Sequence, residues 1–202
     1  MVKPFEPVKS REKTMKTIKT LAIATVAVAA GAVIFAWSGL FNVAASSPHN
    51  PVVKWLLSTT MHDSVERGAT LITVPDLEDE QLIRTGAGDF EAMCATCHGA
   101  PGREPDALGK GLNPPAPDLT DAGEHMTAAE IFWVTRHGVR MTGMPAWGIT
   151  HDDEELWPIV AFITQELPET TPAEYLALAR NSSRHTHDTP AGDDHEEPNE
   201  RP

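Results

Sequence analysis

One stretch divides this chain before any domain can be assigned to it. Leu21 to Phe41, LAIATVAVAAGAVIFAWSGLF, carries no charge over 21 residues, and its polar members are only Thr25 and Ser38. About 20 apolar residues in a helix cross the ~30 Å hydrocarbon core of a bilayer, so the run predicts one membrane-spanning helix. Charge gives it a direction. Residues 1–20 carry six basic side chains (Lys3, Lys9, Arg11, Lys13, Lys16, Lys19) against Glu6 and Glu12, and the next basic residue after the run is Lys54. Positive residues stay on the cytoplasmic side. The expectation is therefore a cytoplasmic basic head (1–20), an anchor (21–41) with Trp37 and Phe41 near its outer interface, and a body on the periplasmic side of a bacterial inner membrane. Val43-Ala44-Ala45 has the small-residue pattern of a signal-peptide cleavage site, but the apolar run exceeds the 7–15 residues of a signal h-region. An uncleaved anchor is expected, and either reading exports the body.

The body is acidic. Residues 21–202 hold ten basic and 27 acidic side chains, a net of −17 against +4 for the head. The whole chain, at −13 over 202 residues, is unsuited to nucleic acid as its main partner. Residues 42–81 read as a periplasmic connector. Ser46, Ser47, Pro48 and Pro51 break regular structure, and Val53, Leu56, Leu57, Thr60, Met61 and Val65 then fall at helical spacing in a short amphipathic helix. That helix could pack on the domain, lie at the membrane surface or dock on a partner, the first being the plainer expectation. Residues 82–168 read as the compact core. A helix is expected from about Leu82 to Cys94, then a Pro/Gly-rich loop over Gly99–Asp118. The next helix opens at the Thr127–Glu130 capping box and stops at Gly138. A last helix is expected from about Asp152 to Leu167, where Pro158 removes a backbone donor and should bend or delay it. Residues 169–180 predict a short helix behind the Thr171–Glu174 capping box. Residues 181–202 lack large apolar side chains and predict a disordered acidic tail, whose His185, His187 and His195 have nothing to fix a metal geometry.

The only two cysteines lie in Cys94-Ala95-Thr96-Cys97-His98. Three positions apart, they cannot build a disulfide framework. C-x-x-C-H is the attachment pattern of a covalent c-type haem: two thiols one helical turn apart can each form a thioether with a vinyl group, and the adjacent histidine supplies an axial nitrogen. A zinc site would need a second cysteine pair, and a thioredoxin-like dithiol would need a βαβ context. The sequence has neither.

Around this motif stand Gly86, Phe90 and Cys94, four apart, then Gly143-Met144-Pro145-Ala146-Trp147 and a final helix containing Phe162. In these elements and their order, residues 80–168 resemble the class I cytochromes c, and more narrowly the single-haem domains related to the c-type subunits of haem–copper oxidases. The resemblance implies an all-α fold of three to five helices wrapped around one covalent haem c, preceded here by the single transmembrane helix. It implies His98 as proximal ligand and Met144 as the sixth. Met144 suits the part, because a thioether raises the iron potential and the residue sits in a Gly/Pro loop. Met141 and His137 remain the alternatives, while Met93 and Met126 read as packing. The resemblance also implies that the first helix crosses the last at Gly86, with Phe90 against Phe162. A carbonyl of Asn113–Pro117, for which Pro115 is the guess, would take the His98 ring N–H. Arg136, Arg140 and Trp147 could meet haem propionates, or be surface arginines and a core tryptophan.

A haem with both axial positions filled has no place for a substrate. The expected function is a membrane-anchored monohaem electron carrier rather than an enzyme. Its donor would be a quinol-oxidising complex or a periplasmic dehydrogenase, its acceptor a terminal oxidase. The alternatives are a haem enzyme or sensor with an open sixth position, for peroxide or nitric oxide, and a fixed subunit of an oxidase or dehydrogenase complex.

Overall fold

A computed structural model describes residues 8–181. The start of the basic head and the tail from residue 182, with its three histidines, lie outside the described residues. Among the described residues the chain is all-helical, without a β-strand. It forms two compact units, residues 1–47 and 48–202.

The first unit is α1 (Val8–Trp37). It is longer than the apolar run at one end, because the lysine-rich segment continues the same helix, and shorter at the other. Its Lys13–Trp37 portion is long and apolar enough to cross a membrane, and none of it is covered by protein. Thr25, the polar residue inside the run, bonds its hydroxyl to the Leu21 carbonyl at 2.9 Å. That satisfies it within the helix, as a lipid environment demands. The helix stops before Phe41 because Ser38 turns its hydroxyl onto the Phe35 carbonyl (2.7 Å) and Gly39 takes a left-handed φ of 68°.

The second unit opens with α2 (Pro51–Ala69), capped by Asn50, with proline at its first position. Then come α3 (Glu80–Met93), the short turns α4 (Ala95–His98), α5 (Ala107–Lys110) and α6 (Ala122–His125), α7 (Ala128–His137), α8 (Asp153–Ala161) and α9 (Pro172–Asn181). The Asp79 carboxylate accepts from the amides of Gln81 and Leu82, which starts α3 two residues before the first apolar position. The Thr127–Glu130 capping box forms as expected at α7, and Gly138 ends that helix. A second box, Asp152 with Glu155, opens α8.

The expected 152–167 helix is a composite. It runs as α8 through Pro158, widens into a π turn over Phe162–Glu166 and closes as a 3₁₀ turn over Leu167–Glu169. Pro158 has no N–H to give, and the regular ladder gives way one turn after it. Across this helix lies α3. Gly86 is buried against α8 so closely that a Cβ on it would fall on the Pro158 carbonyl oxygen. The rings of Phe90 and Phe162 meet beside the crossing at 5.4 Å and 60°. Tyr175 of α9 comes edge-on to Phe90 at 6.2 Å. Aromatic pairs in such tilted arrangements add ~0.5–1.5 kcal/mol each beyond the area they bury. The core therefore reaches past residue 168: Tyr175 is almost wholly buried, and at the other end Val65 and Ala69 of α2 are buried too. Gly68 of α2 lies against the Trp133 indole of α7.

Because Gly86 meets rigid backbone rather than a flexible side chain, Gly86→Ala should push α3 off α8. The expected loss is about 2–3 kcal/mol, the upper part of the range for overpacked sites. A urea unfolding series should show it as a lower midpoint at unchanged slope.

Candidate functional site

The site begins where α3 ends. The Cys94 amide bonds to the Phe90 carbonyl (2.9 Å), so the cysteine continues the helix whose preceding turn is locked in the core. The chain then makes one more helical turn. The amides of Cys97 and His98 both reach the Cys94 carbonyl, at 3.0 and 2.9 Å, and Gly99 leaves at φ 78°. Residues three apart in a helix share a face, so Cys94 and Cys97 lie one above the other. Both are free cysteines, Cys94 buried and Cys97 half-buried. Burial first, then the nearby charges of Asp89 and Cys97, push the Cys94 thiol up to about 12, so at neutral pH it keeps its proton.

His98 is fixed by the loop that follows. Its Nδ1 lies 2.8 Å from the Pro117 carbonyl oxygen. A carbonyl can only accept, so Nδ1 carries the proton and Nε2 keeps its lone pair. Burial also lowers the His98 pKa, opposed by the Pro117 hydrogen bond and the Asp118 charge, which favours the neutral ring. The accepting carbonyl is thus that of Pro117 and not, as the sequence suggested, Pro115. The reason is local. Asp118 fastens its carboxylate to the Thr120 amide (2.9 Å) and hydroxyl (2.7 Å), which pins the peptide next to Pro117. Pro115 lies two residues earlier in the loop, away from that pinned peptide.

Two glycines bring the remaining loops in. Gly109 packs against the Cys97 backbone, and Gly143 packs against the Leu112 side chain. The Gly143–Pro145 turn therefore rests on the same loop that holds His98. Met144 is half-buried in that turn. Its amide bonds to the Thr142 hydroxyl (3.1 Å), and its carbonyl accepts from Val139 (3.4 Å). Gly138, at φ 62°, sits against the Met144–Pro145 backbone, where a side chain would not fit.

The rival ligands are placed differently. Met141 is 77% exposed and holds a left-handed φ of 64°. His137 is exposed and lies tilted against Trp133 at 4.8 Å and 44°, and the Trp133 indole packs against α2. Met93 and Met126 pack against the core, as expected. Among the other residues named from sequence, Arg136 forms an ion pair with Asp153 at 2.7 Å. Arg140 is exposed. Trp147 is half-buried, edge-on to the His151 ring at 5.5 Å.

Sequence reasoning missed one cluster. Arg103, in the loop after the motif, grips Glu91 of α3 with two bonds of 2.8 Å. The Tyr175 hydroxyl donates to the same carboxylate from α9. Tyr175 is the sole tyrosine of the chain; its place behind a capping box was the only signal available. Spacing alone could not pair Glu91 with Arg103.

This donor set fits a covalent haem: two thiols on one helical turn, a neutral imidazole with Nε2 available, and a thioether in a turn seated on the imidazole's loop. Among the described residues no cluster of three or more His, Cys, Asp or Glu offers a competing metal site. Residues 81–163 match the family model described as cytochrome C oxidase, cbb3-type, subunit III. That segment is similar to the c-type cytochrome subunits of haem–copper oxidases. No curated protein matches the chain, and no solved structure does.

Glu91→Gln keeps the shape of the missed cluster and removes its charge. It should cost about 1 kcal/mol, below the usual range for bonds to ionised groups because Arg103 is partly solvated. A urea midpoint measured alongside that of Tyr175→Phe would separate the two partners of Glu91.

Proposed function

We propose that this protein is a membrane-anchored, periplasmic monohaem cytochrome c that passes single electrons between respiratory or dehydrogenase partners. The observation that carries the reading is the motif turn itself. Both thiols share one face, and the histidine beside them is held by the Pro117 carbonyl with Nε2 left as the ligating atom. In this reading Cys94 and Cys97 would hold one haem c through thioethers, with His98 Nε2 and Met144 Sδ as the protein ligands to its iron. The bound haem supplies a one-electron couple. The protein's part is to keep both ligands where they are in either oxidation state: His98 through Pro117, Met144 through Thr142 and the backbone at Gly138. A site with two protein ligands leaves no open position, which favours electron transfer over substrate chemistry.

Topology supports the same reading. Lysines precede the apolar part of α1, and the acidic body follows it, which supports a haem domain outside the cytoplasm under the positive-inside rule. A quinol-oxidising complex or periplasmic dehydrogenase would be the donor and a terminal oxidase the acceptor. Arg140 and Trp147 would be candidates for the propionates. The working domain would run from α2 to α9, since both pack into the core.

Three outcomes test this. Cys97→Ser should keep haem through one thioether only, and a pyridine haemochrome spectrum would report the lost one. Met144→Ala should retain the haem, lower its midpoint potential because the thioether donor is gone, and let an added small ligand such as imidazole bind. An unchanged spectrum and potential would exclude Met144 as ligand. With a net −17 outside, exchange with a basic partner should slow as ionic strength rises and the Debye length falls from ~30 Å at 0.01 M to ~10 Å at 0.1 M. A salt-independent rate would remove electrostatic steering from the proposal.

A further inference from the structure

The N-terminal end of α2 is an apolar surface that nothing among the described residues covers. Only its last turns are tied down, by Val65, Gly68 and Ala69. The first two turns of the helix expose Val52, Val53, Trp55, Leu56 and Leu57, with Val52 at 69% and Trp55 at 66%. Over residues 51–61 the only charge is Lys54. A solvated helix end would not be built this way, since contiguous exposed apolar patches mark interaction sites.

The chain itself indicates what covers the patch. Thirteen residues, 38–50, separate the end of α1 from the start of α2. Fully extended they reach at most about 45 Å, and they are not extended. Asn42 bonds to the Ser47 hydroxyl (2.8 Å) and the Ala44 amide (2.9 Å), and the Ser47 amide bonds to the Ala44 carbonyl (3.1 Å). The connector also exposes Leu40, Phe41 and Val43. Tryptophan with a nearby lysine is the side-chain pairing favoured at a membrane–water boundary, and the patch carries no carboxylate to resist it. We propose that residues 52–57 of α2 insert into the outer interface of the bilayer that α1 crosses. This rests on the reading of α1 as a span. Since the far end of α2 is fixed on Trp133, the insertion would set the angle at which the haem domain faces the membrane, in place of a domain swinging on a loose linker.

The test uses the full-length haem-loaded protein in phosphatidylcholine nanodiscs, with a spin label at Leu56→Cys, a second at Val28→Cys within the apolar part of α1, and a third at Glu66→Cys as a water reference. Labels in lipid relax with oxygen, labels in water with a nickel chelate. The expected result is oxygen-dominated relaxation at positions 28 and 56 and nickel-dominated relaxation at 66. Adding Trp55→Glu should raise nickel access at 56 several-fold with the haem spectrum unchanged. If position 28 lies in lipid and 56 in water, the insertion is wrong and the anchor stands. If both lie in water, the anchor fails as well. If 56 is shielded from both reagents, a protein covers the patch, and a lipid surface is not its partner.

Discussion

The close crossing of α3 over α8 is the constraint on which the rest of the domain depends. Gly86 allows backbone to approach backbone at the Pro158 carbonyl. Phe90, one turn further along, then reaches Phe162, and Cys94, one turn further again, is held at the edge of the core. The motif turn is only four residues long and buries little beyond Ala95. Its position is inherited from the helix before it. Each later element is then placed against something already fixed: the Gly109 loop on Cys97, the Gly143 turn on Leu112, the Asp118 turn beside Pro117. Glycine recurs at these contacts because a backbone has to approach another chain segment more closely than a Cβ allows.

The parts of this arrangement that were legible from sequence share one property: they are local. Thr127–Glu130 forms its capping box within four residues, Gly138 ends its own helix, and C-A-T-C-H defines a single turn. Gly86 and Phe90 could be named as well, but only because a family pattern supplied the distant partner. The unreadable parts depend on distance. Which carbonyl reaches His98 is decided by how a proline-rich loop is pinned at Asp118, and counting residues could favour Pro115 as easily as Pro117. The π turn after Pro158 could be foreseen as a defect but not as that defect. The Asp152–Glu155 box puts an aspartate where the other boxes have threonine, although its spacing matches that of the box at Thr127.

The boundaries changed more than the site did. A domain drawn at residues 82–168 omits the ring of Tyr175, which touches both Phe90 and Phe162, and the α2 turn that lies on Trp133. The family match, over 81–163, stops short of the same two elements. They are additions to the stretch that the family model covers.

One of these additions has a kinetic consequence. Glu91 and Tyr175 are 84 residues apart in the chain, and Glu91 also holds Arg103 in the loop that follows the motif. Contacts of such separation form late, since the entropy of closing the intervening chain must be met first. A chain is made from its N-terminal end, so the motif turn emerges well before the helix that completes its surroundings. Until α9 arrives, the aromatic pair behind Cys94 lacks its third ring and Glu91 lacks the Tyr175 hydroxyl. The order of the sequence thus leaves an interval in which the surroundings of Cys94 are incomplete, and the last helix completes them.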